Sequence, residues 1–176
     1  MSDGKTPEIV IRFATAGDGP ALQAIFNHEV ESSTASLEWY PLAGEDWQRW
    51  LFEHTRDNHV LLVAEVAGAV AGFAGYGAFR TKAGYVDTVE DSVFIKEAYR
   101  GHGLGKRLLR RLLAEARDRG IHAVVAAVIA ENVVSVGLHH AVGFVDVAYL
   151  PQVGHKFGRW VDLQLLQIIL DNRPTP

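Results

Sequence analysis

Apolar and polar positions along this chain follow two periods. Residues 8–13 (EIVIRF) have strand character, and behind Asp18 the apolar positions Leu22, Ile25, Phe26 and Val30 fall on one side of a helix. The stretch 32–43 (SSTASLEWYPLA) follows neither period and is expected to be a loop. Over 45–56, Trp47, Trp50 and Leu51 mark the apolar side of a second helix. Segments 60–66 (VLLVAEV) and 70–79 (VAGFAGYGAF) flank a turn at Gly68, which is a hairpin pattern, and 86–95 (VDTVEDSVFI) reads as a further strand.

Leu104, Leu108, Leu112 and Ala116 then recur every four residues with Leu109 and Leu113 beside them, predicting an amphipathic helix that ends near Gly120. Residues 121–129 (IHAVVAAVI) are an apolar run of strand length, suited to a strand covered on both faces. Asn132 opens a short helix that stops at Gly143, and β-rich segments over 144–150 and 160–169 close the chain. This order predicts an α/β or α+β fold with helices packed on a mixed sheet. No repeat, low-complexity tract or linker interrupts it, so residues 1–176 are expected to form one domain with loose ends at about 1–6 and 171–176.

Composition narrows the chemistry. At 176 residues and 48% hydrophobic content, the chain can bury one sizeable core. Without cysteine it has no disulfide, thiolate metal site or thiol nucleophile, which fits a reducing cytoplasm. The polar start MSDGKTPEIV is no signal peptide, and no segment approaches the roughly 18 apolar residues of a membrane span, so no membrane partner is expected. A formal charge of -4 argues against a nucleic-acid partner. Between Lys96 and Arg119, however, eight bases stand against three acids.

Inside that basic patch lies RGHGLGK, Arg100 to Lys106. A Walker loop requires four residues before its GK pair and a following Ser or Thr, whereas Gly101 to Gly105 leaves three and Arg107 follows Lys106. A dinucleotide fingerprint requires glycine where Lys106 stands. A plain strand-to-helix turn remains open. The alternative is an anion site: a glycine loop entering a helix aims free N–H groups at one point, with the helix dipole behind them and Arg100 and Lys106 adding charge.

Two segments carry a family resemblance. Arg100, Gly103 and Gly105 match the Q/R-x-x-G-x-G/A loop that holds the acetyl-CoA pyrophosphate in the GNAT superfamily of N-acetyltransferases. One strand further on, Asn132, Ser135, His139, Gly143 and Phe144 match the family's N-x-x-S/A-x-x-x-(Y/H)-x-x-x-G-F segment. Thr88-Val89-Glu90, the LHxxxGF segment and Val153 to Trp160 narrow the resemblance to phosphinothricin and methionine sulfoximine acetyltransferases, over about residues 9 to 170.

The resemblance implies a GNAT fold with a mostly antiparallel mixed sheet, acetyl-CoA as co-substrate, and a small amino-acid-like acceptor. Gly101, His102, Leu104 and Lys106 complete the implied pyrophosphate loop, while the backbone of Val93, Phe94 and Ile95 is assigned to the pantetheine. Asn132 and Ser135 face the cofactor, cap their helix, or do both. Glu90 is the implied general base; the competing reading is a solvent-facing strand residue. His139 is a second candidate for proton transfer, against a histidine that merely packs or caps a helix. Phe79, Arg80, Thr88 and Val89 form the implied acceptor pocket, Arg80 being suited to a carboxylate. The histidines form no zinc signature, so no metal is expected. Trp39, Trp47, Trp50 and Trp160 read as core or interface residues, and the family's dimer contact near Lys156 to Trp160 implies a homodimer. Acetylation of a peptide N-terminus or a polyamine, and a CoA-binding module without catalysis, are the alternatives.

Overall fold

The computed structural model describes residues 8–175, so the expected loose start at 1–6 lies outside the described residues. Seven strands form one sheet in the order β1-β2-β3-β4-β5-β7-β6. They are β1 (Ile9–Phe13), β2 (Val60–Val66), β3 (Ala69–Ala78), β4 (Thr88–Ile95), β5 (Ala123–Ile129), β6 (Val145–Lys156) and β7 (Arg159–Ile169). All neighbours are antiparallel except β4 and β5, which pair only over Thr88–Glu90 and Ala123–Val125. Beyond Glu90 and Val125 no further partners are paired, and a cleft opens inside the sheet.

Four helices cover the two faces. On one side α1 (Gly19–Ser32) and α2 (Gly44–Thr55) place Leu22, Ile25, Phe26, Val30 and Trp47 against Leu61, Val63, Phe73 and Phe94. On the other, α3 (Leu104–Asp118) lays its leucine face on Leu62, Tyr76, Val89, Val124 and Leu166. The leucine period thus sets the face that is buried, since Leu108, Leu109 and Leu112 are all inaccessible to solvent. The short α4 (Val133–His140) follows β5, its first turn capped by the Asn132 side chain, which accepts the Ser135 N–H at 3.1 Å.

Two expectations change. The last strands run longer than the apolar pattern indicates, because β6 continues through Pro151 to Lys156. This is an edge strand whose register shifts between Leu150 and Gly154, where proline removes no needed ladder bond. The tail expected to be loose is tied down at its start: His122 bonds Asp171 at 2.8 Å, and Arg173 reaches the Gly120 carbonyl at 3.1 Å. The tryptophans divide, with Trp47 buried and stacked 4.9 Å from Trp50, and Trp39 and Trp160 exposed on either side of His155.

Candidate active site

Strand β4 separates two cavities. Its pleat turns Thr88, Glu90 and Ser92 toward the α2 side and Val89, Asp91 and Val93 toward α3 and α4. A cavity of about 650 Å³ follows the cleft, bordered by Asp91 to Ile95, by Ala126 to Ile129, and by Arg100, Asn132, Ser135 and His139. A second, of about 620 Å³, is bordered by Arg80, Thr88, Glu90 and Ser92 together with His54 and Tyr85. Ser92 is common to both walls. Thus Glu90 and His139, both expected to move protons, stand on opposite sides of one strand.

Arg100 borders the first cavity, and the glycine loop that follows it turns into α3. Gly101 and Gly103 have φ of 78° and 74°, the left-handed region, and a Cβ on either would meet nothing within 4 Å. Gly105 differs, because its Cβ would come within 3.2 Å of Leu138 Cδ2, so it brings α3 close to α4. Arg107 N–H bonds the Gly103 carbonyl, but no hydrogen bond of good geometry runs from the N–H groups of Gly101 through Lys106 to a described acceptor. Six successive donors with a helix dipole behind them suit a pyrophosphate. Gly103→Ala is expected to lower stability by about 1–2 kcal/mol through backbone strain alone, checked by urea unfolding.

Several sequence assignments change at atomic detail. The Arg100 guanidinium, expected to face phosphate, donates to the buried Glu29 carboxylate and, at 2.9 Å, to the Ile95 carbonyl, so it ties the loop to α1. The Leu104 side chain is buried in the core, which leaves only its backbone for a ligand. Phe79 does not border the 620 Å³ cavity; its ring packs edge-on to Tyr85 at 5.7 Å, with the Arg80 guanidinium 4.1 Å above it. Val89 borders that cavity, yet its side chain belongs to the core. Asn132 caps α4 and also borders the 650 Å³ cavity. His102 is exposed and Lys106 half-buried beside the loop.

His139 is 3% exposed, and both its nitrogens are engaged: Nδ1–H donates to the Ser135 carbonyl at 2.7 Å and Nε2–H to Asp91 Oδ2 at 3.0 Å. Burial alone would lower its proton affinity, but the Asp91 hydrogen bond and charge, with the Ser135 carbonyl, hold it above the ordinary value. Asp91 Oδ1 is buried with no partner among the described residues. Glu90, half-buried, is pushed up by burial and by Asp91, against the opposing charge of Arg80. Sequence reasoning missed Asp91, Ser92, Tyr85 and His54. The first two lay within the TVEDSVF stretch, where strand alternation alone assigns each residue a face.

A fold with one parallel strand pair that splays beside a glycine loop and a helix N-terminus defines a CoA-type acyltransferase. The chain belongs to the acetyltransferase (GNAT) family, whose description matches residues 22–144. It is 41% identical to the L-amino acid N-acyltransferase MnaT of Escherichia coli strain K12, covering 94% of this chain and 96% of that one. It is 42% identical to the L-methionine sulfoximine/L-methionine sulfone acetyltransferase of Pseudomonas paraeruginosa, over 92% and 94% of the two chains. Among solved structures, a GNAT superfamily phosphinothricin acetyltransferase from Sinorhizobium meliloti in complex with AcCoA superposes with a TM-score of 0.90 at 30% identity, over 97% of this chain and 94% of that one.

Proposed function

We propose that this chain, as one catalytic domain, moves the acetyl group of acetyl-CoA to the α-amine of a small amino-acid-like acceptor of the methionine sulfoximine, methionine sulfone or phosphinothricin kind. The observation that carries this reading is the pair of cavities on either side of β4, with Glu90 in one and Arg100, the first residue of the glycine loop, bordering the other. Acetyl-CoA fits the 650 Å³ cavity: the N–H groups of 101–106 suit its pyrophosphate, and the β4 edge at Val93, Phe94 and Ile95, which no strand pairs on the β5 side, suits its amides. Bound there, it supplies an acetyl group activated as a thioester.

The protein's own residues do the rest. Arg80, exposed at the other cavity's rim, pairs with the acceptor's carboxylate and orients its amine toward Ser92. Thr88 borders the same pocket. The Glu90 carboxylate takes a proton from the ammonium, freeing the nitrogen lone pair; its raised proton affinity suits that task near neutral pH. Holding both reactants along one line supplies much of the rate. His139, already engaged at both nitrogens, contributes positive charge beside the cofactor cavity, where the departing thiolate's charge develops.

Arg80→Ala is expected to lower kcat/KM for the acceptor by roughly 10- to 100-fold, the loss of one charged hydrogen bond, with KM for acetyl-CoA unchanged. Steady-state kinetics in each substrate check it. The assignment as a whole is tested by thiol release from acetyl-CoA with methionine sulfoximine, a polyamine and a short peptide as acceptors. Release with the amino acid alone supports it; release with only the peptide defeats the acceptor; saturable binding without release indicates a module that has lost catalysis. The polyamine is disfavoured by Arg80.

A homodimer is part of the same reading. The edge strand β6 and its surroundings expose Val145, Val147, Tyr149, Val153, Phe157 and Trp160, an apolar surface suited to a second copy. No helix among the described residues is long and apolar enough to cross a membrane, and no group of His, Asp and Glu among them is clustered to hold a metal. The cytoplasm, where acetyl-CoA and a cysteine-free chain are at home, is the proposed location.

A further inference from the structure

His54, on the last turn of α2, is a residue that neither the glycine loop nor the downstream motif involves. Its ring stacks on Trp50 with centroids 3.9 Å apart. Nδ1–H donates to the Trp50 carbonyl at 2.8 Å, which fixes the tautomer and leaves the Nε2 lone pair without a partner among the described residues. The ring borders the same cavity as Glu90. What brings the two together is Gly77. It lies opposite Glu90 in the β3–β4 ladder, so a Cβ there would share a face with the Glu90 side chain at about 5 Å. That same Cβ position is 3.9 Å from His54 Nε2. Any larger residue at 77 would fill the space between carboxyl and imidazole.

We propose that His54 receives, through one water across Gly77, the proton that Glu90 takes from the acceptor's ammonium, and passes it to solvent at the cavity mouth. The proposal rests on the reading of Glu90 as base. The step balances: the ammonium N–H bond breaks and a Glu90 O–H forms; that proton moves through water to Nε2; the imidazolium then loses a proton to solvent and Glu90 returns to carboxylate. Burial lowers the proton affinity of His54 and raises that of Glu90, bringing two ordinarily separated values toward each other, so that the proton can exchange between them and leave His54 readily. Glu53 and His59 bias His54 from α2 and the following loop, and Arg80 and Asp91 bias Glu90. Trp50 is the apolar platform beneath the ring.

The test compares His54→Phe, which keeps the stacking on Trp50 and removes Nε2, with His54→Gln and Glu90→Gln, using the full chain with acetyl-CoA and methionine sulfoximine. The expected result is a kcat lower by about 10-fold or more in His54→Phe, a small part of a general base's effect, with KM for acetyl-CoA unchanged. Added imidazole is expected to restore the rate in His54→Phe but not in Glu90→Gln. A normal kcat in both His54 variants alongside a slow Glu90→Gln overturns the relay and leaves the base standing. A normal Glu90→Gln removes the base and the relay together. A slow His54→Phe that imidazole does not restore assigns the residue to packing and also overturns the relay.

Discussion

Glu90→Gln is expected to lower kcat by about 10²- to 10⁴-fold, the effect of a positioned general base, and to lower it more than His139→Ala does. The reasons lie in the two environments. Glu90 borders the cavity proposed for the acceptor with a carboxylate that burial has made more basic, whereas His139 has no free nitrogen to offer. A thiolate with a pKa near that of cysteine, about 8.5, is also a tolerable leaving group unaided. The amide is nearly isosteric, so binding of acetyl-CoA should be unaffected. Rate against pH extends the argument: the wild-type rate falls as Glu90 protonates, on a limb above the ordinary carboxylate range because its affinity is raised, and the variant lacks that limb. A histidine variant as slow as, or slower than, the glutamate variant would reverse the ranking.

Asp91→Ala is expected to unfold more easily by about 3 kcal/mol, toward the lower end of what breaking a buried ion pair costs. The lower end applies because the substitution also removes Oδ1, a buried acceptor with no partner. Its pH dependence is the sharper signature. His139 is held above 6.5 in the folded chain, so its pairing contributes fully below that value and is lost as pH rises through the raised one. In the variant only burial and the Ser135 carbonyl remain; burial dominates and pulls the imidazole below 6.5, so stability now falls as pH drops. Urea midpoints at about pH 5.5 and 8 measure the change of slope. Equal midpoints for the two proteins at low pH would remove the pair from the account.

Much of this architecture is legible in local pattern. The leucine period of α3, the hairpin at Gly68 and the apolar run of β5 each state which face is buried, and a face is all a sheet-and-helix fold needs to assemble. The second half of β6 escaped because Pro151, Gln152 and Gly154 interrupt the apolar pattern, and an exposed edge need not follow an apolar code. Spacing located the site's two motifs, but contacts between residues far apart in sequence do not appear in spacing. Glu29 with Arg100 and Asp91 with His139 are set by how α1 and α4 dock, and His54 reaches Glu90's neighbourhood only because Gly77 is bare. Each is a property of packing.

The short parallel ladder between β4 and β5 has a consequence for the protein without its co-substrate. Three residue pairs join the β1–β4 half of the sheet to the β5–β7 half, and past Glu90 the backbone edges face each other across the cleft. A sheet hinged this way breathes at its centre rather than at its rim, so those amide protons of Val93 to Ile95 and Ala126 to Val128 that face the cleft, and not β3 or β7, should exchange early despite lying mid-sheet. Acetyl-CoA laid along both edges would act as the missing rung. The metabolic supply of acetyl groups would then govern how firmly the two halves of the molecule hold together, as well as how fast it works.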